Sequence, residues 1–182
     1  MDFISTFKFL IEKFNRQNIN FALIGGFALQ FRGIARSTLD IDFLLLSKDA
    51  AKVKELMLKK GYALIHESED VLNFISDKSD LGRVDFLLAH RKYATAMLSR
   101  AEDKEVFGGR FRVKVLRTED LIGLKVQSSS NDPQRMLQDM ADIESLIKNN
   151  YPGLDLNTLR EYFGLFGRLE ELDKILGKIK DA

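Results

Sequence analysis

The stretch "LIGGFALQFRGIARSTLDIDFLLL", Leu23 to Leu46, decides how the rest of the chain is read. It sets two adjacent glycines, Gly25 and Gly26, ahead of Arg36 and Thr38, and then places Asp40 and Asp42 one residue apart. The apolar run after the aspartates belongs to a buried strand rather than a surface loop. Strand residues two apart share a face, roughly 6.5–7 Å from one another along the chain. Asp40 and Asp42 are thus expected side by side, with Ile41, Phe43 and Leu45 on the opposite face, toward a core. Two acids at the head of such a strand are either a solvated strand end or the holders of a positive charge.

Working outward, "VDFLL" has the same character, because Asp85 sits between Val84 and Phe86 in an otherwise apolar run. If the two strands are neighbours, three carboxylates converge and raise one another's pKa unless a cation neutralises them. Oxygen ligands suit Mg²⁺, with Mn²⁺ as a substitute, and such ions bring phosphates with them. Gly25 and Gly26 fall between an expected strand and a short helix, where backbone N–H groups can meet a phosphate. Arg36 and Thr38 lie just before the acid pair, within reach of triphosphate oxygens. No "GK[ST]" follows the glycines and "GxGxxG" is absent, so neither a Walker loop nor a dinucleotide fingerprint is present.

Composition narrows the chemistry. The 182 residues suit one moderately large domain or a core with an appendage, and 45% hydrophobic with 30% charged residues is ordinary globular composition. A net charge of +1 gives no global attraction to nucleic acid or membrane. The chain has no cysteine, which excludes disulfides, thiolate metal sites and cysteine catalysis. His66 and His90 are its only imidazoles, so a metal site falls to carboxylates. The N-terminal segment carries Lys8, Glu12 and Lys13 and lacks a cleavable signal pattern. No apolar run approaches membrane-spanning length, and a cytoplasmic protein is expected.

Periodicity predicts a helix from Phe3 to Phe14, a strand over "NFALIGG", a short helix through Leu29 and a strand over "LDIDFLLL". A helix follows with Ser47 as its cap and Gly61 as its stop. Three strands come next, over "YALIHES", "VLNFISD" and "RVDFLLA", then a helix over "RKYATAMLSRA". A hairpin turning at Gly108-Gly109 completes this part. From Thr118, read as a cap, the pattern is helical, with Met136, Met140, Ile143 and Ile147 as one apolar face after Pro133. The expected fold is α/β (α+β). It has a mixed-sheet core over 1–116 and a C-terminal helical segment over 117–182 packed on it.

The ordered string "GG-x-A-x4-G-x2-R-x-T-x-D-I-D", joined by the later "VDFLL", resembles the nucleotidyltransferase superfamily typified by DNA polymerase beta. Within it the chain looks most like the minimal and AbiEii-type, toxin-related bacterial members. The resemblance is strongest over 21–46, recurs at 83–88 and continues weakly to about residue 148. It implies a Mg²⁺-dependent transfer of an NMP group from an NTP to an acceptor hydroxyl, with pyrophosphate released. Asp40, Asp42 and Asp85 would bind the metals, and Asp85 would help deprotonate the acceptor. Gly25 and Gly26 would line the phosphate pocket with Arg36 and Thr38 nearby, and Lys125 would be a nucleotide contact. The acceptor is left open between RNA, a protein hydroxyl and a small molecule. A toxin–antitoxin partner protein is a further expectation.

One departure matters. Many members place a serine after the glycine pair, where its hydroxyl contacts phosphate, and here Phe27 stands there. That feature favours the alternative of a nucleotide-binding or toxin–antitoxin module without turnover. Residue by residue, blander readings stand beside the sharp ones. Arg36 could pair with an aspartate, Thr38 could satisfy backbone at the strand entry, and Lys125 could be a helix lysine reaching solvent. Asp139 and Asp142 read as a polar helix stripe, with Arg135 paired to Asp139. Arg110, Arg112 and Lys114 read as a charged edge strand, or as a basic surface for a nucleic-acid acceptor. The "R-x6-H" spacing of Arg83 and His90 crosses a strand and is read as coincidence, and His66 as structural.

Overall fold

The apolar spacing of the first segment does build a helix. α1 runs Phe3–Arg16 and buries Phe7, Leu10, Ile11 and Phe14, with Asp2 capping its start through the Ser5 amide. The structure is a computed structural model that describes residues 2–78 and 81–180. After α1 come β1 (Phe21–Ile24), α2 (Gly25–Gln30), β2 (Asp40–Leu46), α3 (Ala50–Lys60) and β3 (Ala63–Glu67). Next are β4 (Val71–Ser76), β5 (Gly82–Ala89), α4 (Lys92–Ser99), β6 (Glu102–Val106) and β7 (Phe111–Val115).

The strands form one seven-stranded mixed sheet in the order β3-β4-β5-β2-β1-β7-β6. β2 runs parallel to β5 and β1 parallel to β7, while the other neighbours are antiparallel. The middle strands are the most buried, β1 at all four of its positions and β2 at four of seven. On β2, Ile41, Phe43 and Leu45 are fully buried. The Phe43 ring meets Phe7, Phe14, Phe21 and Phe86 at centroid distances of 5.6–6.0 Å. α1 therefore docks through its phenylalanines onto the face of β2 that carries no acid.

Two compact units emerge from the contacts: residues 1–28 with 36–116, and residues 29–35 with 117–182. The first holds the sheet with α1, α3 and α4. The second holds α5 (Thr118–Asn131), α6 (Met136–Asn150), α7 (Leu156–Leu165) and α8 (Leu169–Lys180). Residues 29–35, which the division expected at residue 116 leaves in the first part, group with the helices. There the Asn149 side chain donates to the Gly33 carbonyl at 3.0 Å.

Several local expectations need correction. Ser47 opens a 3-10 turn, Ser47–Asp49, and does not cap α3. Thr118 is the first residue of α5 rather than its cap, and its hydroxyl lies 3.4 Å from Asn150 Oδ1. The hairpin turns over four residues, not two, because Val106 pairs with Phe111. Phe107, Gly108 and Gly109 all take positive φ. Phe107 leaves the ladder because its ring packs 4.9 Å from Phe7 and 5.9 Å from Phe27. β7 is not an edge strand, since it lies between β1 and β6. Its Arg112 and Lys114 stand opposite Glu105 and Asp103, a mixed-charge ladder rather than a uniformly basic face. On α6, Ile143, Leu146 and Ile147 are buried as a core face, but Met136 is exposed and Asp139 and Asp142 are buried instead.

Candidate active site

β2 and β5 run in register, Asp40 against Arg83, Ile41 against Val84 and Asp42 against Asp85. Paired residues on parallel strands project from the same face, so the parity that buries Ile41 and Val84 turns all three aspartates to the other side. Asp40, Asp42 and Asp85 are each half-buried and offer carboxylate oxygens within 4.8 Å of one another. They form the one cluster of metal-ligating side chains found among the described residues.

The glycines meet these acids from β1, the other neighbour of β2. Ile24 pairs with Asp42, and Gly25 follows at once with φ +63°. A Cβ built on Gly25 would fall 1.9 Å from Asp42 Oδ2. A Cβ on Gly26 would fall 2.5 Å from Thr38 Cβ and 2.7 Å from its Oγ1. Both glycines thus leave room for side chains of the acid strand and its approach. Thr38 Oγ1 donates to Asp40 Oδ1 at 2.7 Å and lies 3.1 Å from the Asp40 carbonyl oxygen. Arg36 is half-buried and belongs to the same unit as the triad.

Phe27 does not fill this space. Its side chain is 5% exposed and packs edge-on against Phe3 at 4.9 Å and Phe7 at 5.2 Å. The residue is a member of the aromatic core.

Arg83 is the site residue that the sequence reading passed over. Its Nε–H lies 3.1 and 2.9 Å from the two oxygens of Asp85. That hydrogen bond, followed by the charges of Asp85, Asp40 and Asp42, raises the guanidinium pKa above its ordinary value. The signal was available, because Arg83 precedes Asp85 by the same two-residue step that separates Asp40 from Asp42. His90 has a different partner, Asp70, at 2.7 Å, and that hydrogen bond lowers the Asp70 pKa. The "R-x6-H" pair therefore shares no site.

In the helical unit, Lys125 Nζ lies 2.9 Å from Asp139 and 2.7 Å from Asp142. Arg135 adds a second cation to Asp139 at 3.3 Å. Burial pushes the Asp139 carboxyl up. The hydrogen bond and charge of Lys125, with help from Ser128 and Arg135, outweigh it and hold the pKa below the usual range. A cavity of about 520 Å³ lies at the start of β1, lined by Asn15, Asn18, Asn20, Asp103, Arg112 and Lys114 among others. It contains none of the triad, which sits at the far end of that strand.

These features define a nucleotidyltransferase fold, a mixed sheet whose adjacent central strands present three carboxylates beside a glycine turn. Solved structures bear out the fold. The antibiotic-resistance factor ANT(2'')-Ia matches with a TM-score of 0.66 at 15% identity, over 96% of this chain and 97% of that one. The same factor in complex with adenylyl-2''-tobramycin gives 0.63 at 14%, over 90% and 95%. The lincosamide antibiotic adenylyltransferase LnuA, lincomycin-bound, gives 0.57 at 15%, over 78% and 94%. No protein-family model matches the sequence, and no curated protein does. No helix among the described residues is long and apolar enough to cross a membrane.

Proposed function

We propose that the chain is a divalent-metal-dependent nucleotidyltransferase that moves an NMP group from an NTP to an acceptor hydroxyl and releases pyrophosphate. The observation that carries this reading is the convergence of Asp40, Asp42 and Asp85 on adjacent strands. The donor set fits Mg²⁺. Asp40, Asp42 and Asp85, with carboxylate oxygens within 4.8 Å of one another, would hold the ion. Such an ion supplies Lewis-acid stabilisation of charge on the phosphoryl group.

The chain's own residues orient the reactants. Asp40 and Asp42 would hold the divalent ion that bears the triphosphate, and Asp85 would accept the proton of the attacking hydroxyl. The bare backbone at Gly25 and Gly26 and the Arg36 guanidinium take up phosphate oxygens. Lys125 is left out of this assignment, because its ammonium is committed to Asp139 and Asp142.

A hydroxylated small molecule is the acceptor to test first, ahead of RNA or protein. The fold neighbours include a lincomycin-bound adenylyltransferase and a complex with adenylylated tobramycin. The non-catalytic alternative took its motive from Phe27 standing where many members place a serine. The ring is buried in the core and does not obstruct the site, and it supplies no hydroxyl there. AbiEii-type kinship and a toxin–antitoxin setting draw no support from the geometry.

The test is incubation with labelled NTPs, MgCl₂ and panels of aminoglycosides, lincosamides and RNA, reading transfer and pyrophosphate release. Asp42→Asn and Asp85→Asn are expected to fold and to lose at least about 10²–10³ in rate. Transfer at wild-type rate by Asp42→Asn overturns the assignment.

A further inference from the structure

We infer that Thr38 is a positioning residue that fixes the Asp40 carboxylate for metal binding, and that Gly26 is glycine in order to seat it. The inference rests on the metal-binding reading of the triad and assigns Thr38 a role through Asp40 rather than directly on phosphate. Three observations make a chain of contact. Thr38 Oγ1 donates to Asp40 Oδ1 at 2.7 Å, so a hydroxyl holds one carboxylate oxygen and limits the rotation of the group. The same Oγ1 lies 3.1 Å from the Asp40 carbonyl oxygen, which places the side chain against the first residue of β2. The whole Thr38 side chain then rests on Gly26, where an added Cβ would approach its Cβ to 2.5 Å, its Oγ1 to 2.7 Å and its Cγ2 to 3.2 Å.

This arrangement answers a physical need. A lone aspartate at the start of a strand has free χ angles, and ordering them costs entropy each time an ion binds. A donor that fixes one oxygen in advance removes part of that cost and leaves the carboxylate aimed. Leu39, between the two residues, is 86% exposed, so the local alternation turns Thr38 and Asp40 inward together and Leu39 outward. Asp42 packs directly on Gly25. Each glycine thus serves a different acid. Gly25 admits Asp42 itself, and Gly26 admits the residue that holds Asp40.

The experiment is a Mn²⁺ titration of the nucleotide-free protein, followed by paramagnetic resonance, on the wild type, Thr38→Val, Thr38→Ala, Thr38→Ser, Gly26→Ala and the Gly26→Ala/Thr38→Val pair. Circular dichroism checks that each variant folds. Thr38→Val and Thr38→Ala, which lose the hydroxyl, are expected to weaken Mn²⁺ binding by about 10–100-fold. Thr38→Ser is expected to stay close to the wild type. Gly26→Ala should fall with Thr38→Val, and the double variant should be no worse than either, since both break the same contact. Unchanged Mn²⁺ affinity in Thr38→Val or Thr38→Ala overturns the proposal alone, as does a Thr38→Ser variant as weak as either. Losses that multiply in the double variant also overturn it. A wild-type protein that binds no Mn²⁺ overturns the proposal and the metal reading beneath it together.

Discussion

Asp42 Oδ2 occupies the volume that a side chain on Gly25 would need, with a built Cβ at 1.9 Å from it. The first glycine of the pair is therefore fixed by an acid as well as by its backbone, whose φ of +63° disfavours other residues. Gly25→Ala is expected to cost about 1–2 kcal/mol through φ alone. It should also displace Asp42, so the thermal shift produced by Mg²⁺ should disappear. Differential scanning fluorimetry with and without MgCl₂ reads both effects. A Gly25→Ala protein that keeps a full Mg²⁺ shift would show that Asp42 is not held against this glycine.

Arg83 gives the triad a resident cation. Its removal leaves three carboxylates facing one another, and an added divalent ion no longer competes with the guanidinium for Asp85. Arg83 is nearly half exposed, so solvent screens the pair and its loss should cost no more than about 1 kcal/mol at low salt. Arg83→Ala is expected to melt earlier than the wild type without metal and to recover fully with Mg²⁺, at a lower half-saturating concentration. Thermal melts across a MgCl₂ series test this, and a higher half-saturating concentration in Arg83→Ala contradicts it.

The sequence carried the acid strand well because alternation is a local property. Ile41 and Phe43 buried on one face oblige Asp40 and Asp42 to share the other. The partner strand was equally legible, since Asp85 interrupts an apolar run. What escaped were relations set by strand order and helix register. The hairpin of β6 and β7 was legible, but β7 looked like an edge because no local pattern records that β1 pairs along its other side. Phe107 left the hairpin ladder for a ring contact with Phe7, an attraction from a residue a hundred positions away. Asp139 and Asp142 read as solvent-facing because their burial depends on Lys125, which a different helix supplies.

Phe27 lies in the aromatic core rather than in the site. Phe27→Leu keeps the volume nearly constant and forfeits the edge-on contacts with Phe3 and Phe7. It should cost roughly 1–2 kcal/mol in urea unfolding and leave nucleotide and metal binding unchanged. Phe27→Ser should cost roughly 3–5 kcal/mol through cavity and lost burial, without any gain in transfer. A transfer rate raised by Phe27→Ser would return this residue to the site.

The buried cluster of Lys125, Asp139 and Asp142 makes the helical unit sensitive to acid. The folded-state pKa of Asp139 lies below its unfolded value, so the unfolded chain binds the proton more readily. The stability this contributes is complete above the unfolded aspartate value, near pH 4, and drains away as pH falls below it toward the depressed folded value. Asp139→Asn removes this term, so its urea midpoint should fall less steeply between about pH 4 and pH 2 than that of the wild type. Lys125→Met tests the other side of the pair. It takes the lysine away from two buried carboxylates, and should cost about 3 kcal/mol or more at neutral pH. Because Asp139, without the lysine, must bind a proton to remain buried, Lys125→Met should gain stability as pH falls from 7 toward 5. A Lys125→Met protein that loses stability over that interval would show that the lysine does not neutralise these acids.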